Sequence, residues 1–302
     1  MRFSKIRAFL RLTRPFFLLG GILLYLLGVS ISLSSGAKFN PAAFWMGQFL
    51  VTSIQLMVHY ANEYYDLEVD RAEKGKRTWF SGGSGVLPGK ELGPRVALRA
   101  AQVCAGISLL LLVMAARQTP AMGIIGAWVL LAAWFYSAPP LRLVSRGWGE
   151  LTASMILAFF VPLTGMILQP GLNTVPRLFL VICPPLVLIH MAMLIVFEFP
   201  DQEADAAFDK RTLTVRLGLG KAVRLHDGLI FGAFILYAVF ALGGITGKEG
   251  RFVFLALPLA AWQMVRIEWH LHHRQAQFHW LTMGAVGLFG LTAILWLLGF
   301  LF

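Results

Sequence analysis

Residues 16–35 read FFLLGGILLYLLGVSISLSS, an uncharged run that is long enough to cross the hydrocarbon core of a bilayer as a helix. Eight further apolar runs follow, at about 43–62, 95–116, 119–138, 150–169, 176–198, 227–245, 252–269 and 280–301. None of the runs alternates polar and apolar residues with a period of two, so helices rather than barrel strands are indicated. The sequence therefore predicts an all-α polytopic membrane bundle of nine transmembrane helices, with residues 1–302 forming a single domain.

The composition excludes several classes of protein. Of the 302 residues, 58% are hydrophobic and only 14% are charged, whereas a soluble domain carries about 25% charged residues. The two cysteines, Cys104 and Cys183, lie in apolar runs and suggest neither a disulfide framework nor a thiolate metal site. No zinc-finger, helix-turn-helix or RNA-binding pattern is present, so the expected partner is the lipid bilayer and not nucleic acid.

The basic residues predict the orientation of the bundle. The N-terminal segment and the loops after even-numbered spans hold 21 of the 26 Lys and Arg residues. The other side of the membrane keeps only Lys38, Arg117, Arg177, Lys248 and Arg251. Because cytoplasmic loops are enriched in Lys and Arg, we expect a multi-pass protein of the inner (plasma) membrane with a cytoplasmic N-terminus. The net charge of +11 is then explained by attraction to anionic headgroups.

Ten of the fifteen acidic residues lie in two short stretches, each at the end of an even-numbered span. The first reads NEYYDLEVD from Asn62, and the second reads EFPDQEADAAFDKRTLTVRLG from Glu198. Helical spacing of 100° per residue predicts a polar stripe on each preceding helix, although Pro200 should kink the second. The stripes comprise Gln55, His59, Asn62, Asp66 and Asp70 on the first helix, and His190, Asp201 and Asp205 on the second. Two such copies predict a pseudo-duplicated bundle with one cytoplasmic site between them.

The chemistry of these stretches points to a hard cation and to a phosphate. Carboxylate and amide oxygens suit Mg²⁺, which commonly completes its coordination shell with phosphate oxygens. The predicted metal ligands are Asn62, Asp66, Asp70, Asp201 and Asp205. Basic side chains in the adjoining loops are expected to bind a diphosphate, namely Arg71, Lys74, Lys76, Arg77, Lys210 and Arg211. The stretch RTWFSGGSGVLPG from Arg77 fits backbone amides that approach phosphate, a flexible lid or a plain turn, and the sequence leaves these alternatives open.

These motifs resemble the UbiA superfamily of intramembrane prenyltransferases over essentially the whole chain. The resemblance rests on Asn62-x-x-x-Asp66-x-x-x-Asp70 after span two and on Asp201-x-x-x-Asp205 after span six. The sequences YSAPPLR from Tyr136 to Arg142, RGWGE from Arg146 and DKRTLTVRLG from Asp209 are most similar to the 1,4-dihydroxy-2-naphthoate polyprenyltransferase branch. Two departures from the family pattern, Glu63 in place of Asp and Glu198 in place of Asn, bear on the identity of the acceptor.

The resemblance implies Mg²⁺-dependent transfer of a polyprenyl group from polyprenyl diphosphate to an aromatic acceptor in lipoquinone biosynthesis, with menaquinone the expected product class. It implies catalytic roles for the five metal-ligand candidates and for Tyr136, which would face an allylic cation together with Trp134, Phe135, Phe159 and Phe160. It also adds Arg14 and Arg142 to the diphosphate set, although Arg14 equally suits a snorkelling anchor.

Several alternatives remain at the level of sequence. Other acceptors used within the superfamily are 4-hydroxybenzoate, homogentisate, a tetrapyrrole and a glycerol-phosphate lipid. A membrane transporter with inverted repeats is a further hypothesis for the function. His59 and His190 either help to deprotonate the acceptor or make ordinary hydrogen bonds between helices.

Overall fold

The computed structural model describes residues 2–72, 77–172, 174–273 and 278–301, and within these ranges the chain is helical and contains no strand. A π-helical turn occupies Ile156–Phe160, and 3₁₀ segments occupy Leu143–Arg146 and Glu249–Ala256. The α-helices are α1 Arg2–Leu12, α2 Pro15–Ser34, α3 Pro41–Tyr65, α4 Leu67–Ala72, α5 Pro94–Gln118, α6 Pro120–Trp134, α7 Gly149–Met155, α8 Val161–Ile167, α9 Arg177–Phe197, α10 Gln202–Ala207, α11 Leu213–Leu217, α12 Leu219–Leu242, α13 Leu257–His273 and α14 Phe278–Gly299.

Eight helical segments in the described part of the chain are long and apolar enough to cross a membrane. They are α2, α3, α5, Gly149–Ile167, α9, α12, Glu249–His270 and α14. The remaining predicted span, the fourth, is the apolar helix α6, whose 15 residues extend over about 22 Å. Helix α6 ends at Trp134 rather than at the predicted residue 138, because Pro139 and Pro140 cannot continue a helix. The prediction of an all-α membrane bundle is confirmed.

Helix α9 lies at the centre of the bundle. It packs against α12, α14 and α7, and 72% of its membrane-spanning window is buried. This position agrees with its sequence, which is apolar apart from Arg177 at its start and His190. The second acidic stretch follows directly after α9 and therefore begins at the end of the central helix.

Helices α2 and α8 are in close contact. A side chain at Gly28 would overlap the carbonyl group of Pro162, and one at Gly165 would overlap the carbonyl group of Tyr25. Small residues at such positions allow two membrane helices to pack backbone against backbone. The contact extends to Gly20, where an added Cβ would lie 3.9 Å from Leu157.

Both acidic motifs lie at corners where one helix stops and a shorter one begins. Helix α3 ends at Tyr65, the amide of Asp66 still donates to the carbonyl of Asn62, and α4 begins one residue later. Helix α9 ends at Phe197, and α10 begins after Asp201. The predicted first stripe is therefore interrupted at Asp66 instead of following one unbroken helix.

Candidate active site

A cavity of about 260 Å³ lies between the two acidic motifs. All eight residues of the two predicted polar stripes line it, including those beyond the break in the first stripe: Gln55, His59, Asn62, Asp66, Asp70, His190, Asp201 and Asp205. The turn at Asp66 thus keeps Asp70 facing the same space as the residues of α3. The two stretches, more than 120 residues apart in sequence, form one site at one end of the bundle.

Lys210 connects the two motifs directly. Its ammonium Nζ lies 3.0 Å from Asp66 Oδ2 and 3.2 Å from Asp205 Oδ1. Asn62 Nδ2 also donates to Asp66 Oδ2 at 2.9 Å, and it donates to Ser137 Oγ at 3.2 Å. Asp66 and Asp205 are buried, and the Lys210 side chain is only 13% exposed. The ion pairs are therefore shielded from water and hold the motifs within a few ångströms of each other.

The cavity carries an excess of negative charge. Of the described residues that line it, six are acidic and two, Arg14 and Lys210, are basic. Burial, followed by the neighbouring charges of Asp66 and Glu63, raises the pKa of Asp70 to about 7. Burial likewise raises the pKa of Asp205 to about 6, against the opposing effect of the Lys210 ammonium. The excess of carboxylates over cations in the lining therefore favours the binding of further positive charge.

The donor atoms fit a hard cation. Asp66 Oδ1 is buried and has no hydrogen-bond partner among the described residues. The carboxylates of Asp66, Asp70, Asp201 and Asp205 and the amide of Asn62 offer oxygen ligands around one cavity. In the described part of the chain, no three His, Cys, Asp or Glu side chains form a ready cluster for a metal ion. The Lys210 ammonium lies between two of these carboxylates, so a metal ion that bound both of them would have to displace it.

The glycine-rich segment after Arg77 closes the side of the cavity between the motifs. Gly82 N donates to Asp201 Oδ2 at 3.2 Å, and Ser84 Oγ donates to Glu63 Oε2 at 2.7 Å. The Arg77 guanidinium donates to the carbonyl oxygens of Gly82 and Asp70. Gly82, Gly83 and Gly85 all have φ between 66° and 76°, which a residue with a side chain adopts only at a cost. The segment therefore fastens the first motif to the second.

A model of the UbiA prenyltransferase family matches residues 22–298. The chain belongs to that family. The prediction that it is a prenyltransferase enzyme is thereby confirmed, and the family assignment displaces the transporter reading. No curated protein matches the chain at a significant level.

Solved structures of UbiA homologues share the fold of this family member. A homologue from Archaeoglobus fulgidus bound to GPP and Mg²⁺ is 17% identical, with a TM-score of 0.67 over 98% of this chain and 100% of the other. The apo homologue from Aeropyrum pernix K1 is 15% identical, with a TM-score of 0.68 over 92% and 96% of the two chains. A structure described as digeranylgeranylglyceryl phosphate synthase is 17% identical, with a TM-score of 0.64 over 98% of each chain.

The candidates for diphosphate binding separate into distinct groups in this enzyme. Arg14 and Lys210 line the cavity, and Arg77 contacts the loop that closes it. Arg71 pairs with Glu68 on the exposed side of α4, Arg211 pairs with Asp209 in an exposed turn, and Arg142 does not line the cavity. Lys74 and Lys76 lie outside the described residues.

The aromatic wall differs in composition from the one suggested by the sequence. Tyr136 lines the cavity, whereas Trp134, Phe135, Phe159 and Phe160 do not. Their places are taken by Phe17, Phe80 and Phe197, which come from α2, the glycine-rich segment and α9. The rings of Phe80 and Phe197 are stacked at 5.7 Å, and Phe17 meets both edge-on. Their role could not be found from local sequence because aromatic residues are common throughout these helices.

A buried acidic pair, Glu150 and Glu198, is the main feature that sequence reasoning missed. Glu150 Oε1 accepts a hydrogen bond from Leu213 N at 2.8 Å, and Glu198 Oε2 accepts one from Thr214 N at 3.0 Å. Burial and the adjacent Glu150 raise the pKa of Glu198 well above its usual value. Together the two carboxyl groups hold the start of α11, and thus the turn that carries Lys210. The sequence feature that could have indicated this role is Glu150, a single acidic residue at the start of the predicted span 150–169.

Replacing Gly83 with alanine is expected to impair the enzyme, because the added methyl group would overlap Asp70 Oδ2 in a residue whose φ is 66°. Gly244→Ala is a matched control, since Gly244 has φ 69° and nothing within 4 Å of an added Cβ. Both variants should lose about 1 kcal/mol of stability through backbone strain. Only Gly83→Ala should also lower kcat/KM, by about tenfold or more, in steady-state assays. Equal activity losses in the two variants would contradict a role for Gly83 in positioning Asp70.

Proposed function

We propose that this chain transfers a polyprenyl group from polyprenyl diphosphate to an aromatic acceptor, with Mg²⁺ as cofactor and release of diphosphate. The proposed acceptor belongs to lipoquinone synthesis, with the 1,4-dihydroxy-2-naphthoate step of menaquinone formation as the specific assignment. The observation that carries the proposal is the pairing of Asp66 and Asp205 through Lys210 inside a membrane bundle. Such a site combines oxygen ligands for a divalent cation with a cationic group for phosphate.

In the proposed mechanism, Asn62, Asp66, Asp70, Asp201 and Asp205 would hold Mg²⁺. When bound, Mg²⁺ would neutralise the charge that develops on diphosphate as the allylic carbon–oxygen bond breaks. Support for this cofactor comes from the Archaeoglobus fulgidus homologue, whose structure is bound to GPP and Mg²⁺.

The basic side chains of the protein would orient the diphosphate, and its aromatic rings would stabilise the allylic cation. Lys210 and Arg14 would orient diphosphate oxygens, and Arg77 would keep the glycine-rich segment against both motifs. Tyr136, Phe17 and Phe80 would face the allylic carbon as it becomes cationic, since an aromatic face stabilises a desolvated cation by about 2 kcal/mol. Arg71, Arg142 and Arg211 remain proposed as cations that attract diphosphate to the site, and Lys74, outside the described residues, remains a proposed diphosphate-binding residue.

The cavity lining supports an aromatic acceptor. Besides six acidic residues and the basic Arg14 and Lys210, the lining contains apolar residues and the polar side chains of Gln55, His59, Asn62, Ser81, Tyr136, His190 and Thr212. A hydroxylated ring can hydrogen-bond to such groups while its apolar faces remain buried. A glycerol-phosphate lipid would bring a second phosphate into this region, where desolvating it would be costly.

A glycerol-phosphate lipid is nevertheless the second candidate acceptor. It is favoured by the similarity in fold to the digeranylgeranylglyceryl phosphate synthase structure over 98% of both chains. The other family acceptors, 4-hydroxybenzoate, homogentisate and tetrapyrrole, are compatible with the same cavity lining but have no observation in their favour.

The proposed function is tested with purified protein in liposomes, labelled geranyl diphosphate and a panel of these acceptors. We expect transfer to 1,4-dihydroxy-2-naphthoate with kcat/KM at least about tenfold above that for every other acceptor, and no transfer in excess chelator. Preferred transfer to a glycerol-phosphate lipid would replace the aromatic assignment. Transfer without any divalent cation would contradict the cofactor.

The same assay in oriented membrane vesicles tests the proposed location of the site on the cytoplasmic side of the plasma membrane, which the distribution of basic residues supports. Geranyl diphosphate is charged and does not cross a sealed bilayer. Inside-out vesicles should therefore react at once, and right-side-out vesicles only after they are made permeable. The reverse pattern would place the site on the outer face.

A further inference from the structure

We propose that His59 is the general base that removes the hydroxyl proton of the acceptor. This inference rests on the proposed function, since it concerns the second substrate of the same cavity. His59 lies on α3 and lines the cavity. Its hydrogen bonding, its distance from the carboxylates and the positions of competing groups all support this role.

The protonation of the ring is fixed by its partner. His59 Nδ1 lies 3.0 Å from the carbonyl oxygen of Thr13, which can only accept a hydrogen bond. Nδ1 must therefore carry a hydrogen, and in the neutral ring Nε2 is left with a lone pair. Phe17 meets the ring edge-on at 5.7 Å, which further limits its rotation. A neutral imidazole held in this tautomer has a lone pair on Nε2 that can accept a proton.

The position of His59 along α3 matches the expected position of the acceptor. His59 precedes Asn62 by three residues and Asp66 by seven, so it lies about 4.5 Å along the helix axis from Asn62 and about 10 Å from Asp66. The allylic carbon is bonded directly to a diphosphate oxygen, and an attacking atom must come within about 3–3.5 Å of that carbon. The acceptor therefore belongs in the layer next to the diphosphate, which is the layer of His59.

The other candidate bases are less well placed. His190 Nδ1 is hydrogen-bonded to Ser154 Oγ at 2.9 Å. His190 also lies eleven residues before Asp201, whereas His59 lies only seven residues before Asp66. The carboxylates of Glu150 and Glu198 accept hydrogen bonds from the backbone at the start of α11. Gln55, one turn before His59, has a buried Oε1 without a partner among the described residues. A neutral amide does not remove a proton, so Gln55 is not a competing base.

The proposed step conserves atoms and charge. The hydroxyl proton of the acceptor moves to His59 Nε2, and the ring carbon forms a bond to the allylic carbon. The electron pair of the allylic carbon–oxygen bond leaves with diphosphate. The substituted ring carbon then loses its own proton as the ring oxygen recovers the proton held on Nε2. Where the reacting carbon carries hydrogen, the net reaction replaces that hydrogen by the prenyl group and releases one proton and diphosphate. Where it carries a carboxylate, as C2 of 1,4-dihydroxy-2-naphthoate does, CO₂ leaves in place of the proton.

The test compares His59→Asn, whose side-chain amide can still donate to Thr13, with His190→Asn and the wild type. His59→Asn should lower kcat for the acceptor by about 10²-fold or more. It should leave unchanged both the Kd for geranyl diphosphate and the slow release of diphosphate when no acceptor is present. An acceptor series of increasing hydroxyl acidity should recover the rate progressively in His59→Asn alone, because an ionised acceptor needs no base.

Several results would overturn this assignment. A rate loss that stays constant across the acceptor series would make His59 a positioning residue, and a larger loss in His190→Asn would transfer the role to that residue. His59→Gln, followed with the same readouts, replaces the asparagine variant if that variant does not give a folded monodisperse protein. Failure of the wild type to alkylate any acceptor would refute the proposed function, and this result differs from an active wild type with an unaffected His59→Asn.

Discussion

Replacing Asp66 with asparagine is expected to lower kcat/KM by about 10²–10³-fold or more, the scale seen when one group that stabilises a developing charge is removed. Asp66 Oδ2 accepts hydrogen bonds from Asn62 Nδ2 and Lys210 Nζ, and Oδ1 is buried without a partner among the described residues. Asparagine preserves the shape of the side chain but removes its charge. The change therefore weakens cation binding at the point where both motifs meet.

Glu68→Gln provides a matched control for the Asp66 variant. Glu68 belongs to the same acidic stretch, but its side chain is 67% exposed and pairs with Arg71 away from the cavity. Loss of this exposed pair should change stability by less than about 1 kcal/mol and leave the rate close to that of the wild type. Steady-state kinetics and thermal unfolding in detergent measure both effects. Near-normal turnover in a folded Asp66→Asn protein would remove Asp66 from the metal site.

Lys210→Met is expected to lose stability and to weaken binding of the prenyl donor. The variant leaves Asp66 and Asp205 facing each other without the ammonium group that now bridges them. Breaking a buried ion pair in this way costs about 2–3 kcal/mol, and it costs less where a carboxyl can take up a proton instead. Because the pKa of Asp205 is already raised to about 6, we expect a loss near the lower figure. The KM for prenyl diphosphate should rise by about tenfold or more, with a smaller change for the acceptor.

The response to Mg²⁺ separates the two roles of Lys210. A divalent cation can take the place of the ammonium between the same carboxylates, so Mg²⁺ should raise the Tm of Lys210→Met more than that of the wild type. Lys210→Arg keeps the positive charge, and Lys221→Met removes an exposed charge outside the cavity lining. Both controls should respond to Mg²⁺ as the wild type does. Equal Tm shifts in all four proteins would contradict competition between Lys210 and a metal ion for Asp66 and Asp205.

The sequence by itself determined the class of fold, because the requirement for it is local. Each apolar run must satisfy its own backbone hydrogen bonds in lipid, and a helix does so without help from distant residues. The polar stripes follow from the same periodicity. Gln55, His59 and Asn62 share one face of α3 whatever packs against it, and all three line the cavity. The cavity-lining residues that could be predicted from the sequence are therefore those whose position follows from the periodicity of a single helix.

Only the tertiary structure decided how these faces meet. The bridge from Lys210 to Asp66 and the hydrogen bond from Gly82 to Asp201 join segments that are distant in sequence. The same holds for Phe17, Phe80 and Phe197, which form the aromatic wall, and for Glu150, which supports α11. Hydropathy and periodicity describe one helix at a time and contain no information on which neighbour covers a given face. Close packing between helices, made possible by contacts such as Gly28 against Pro162, selects the residues that surround the substrate.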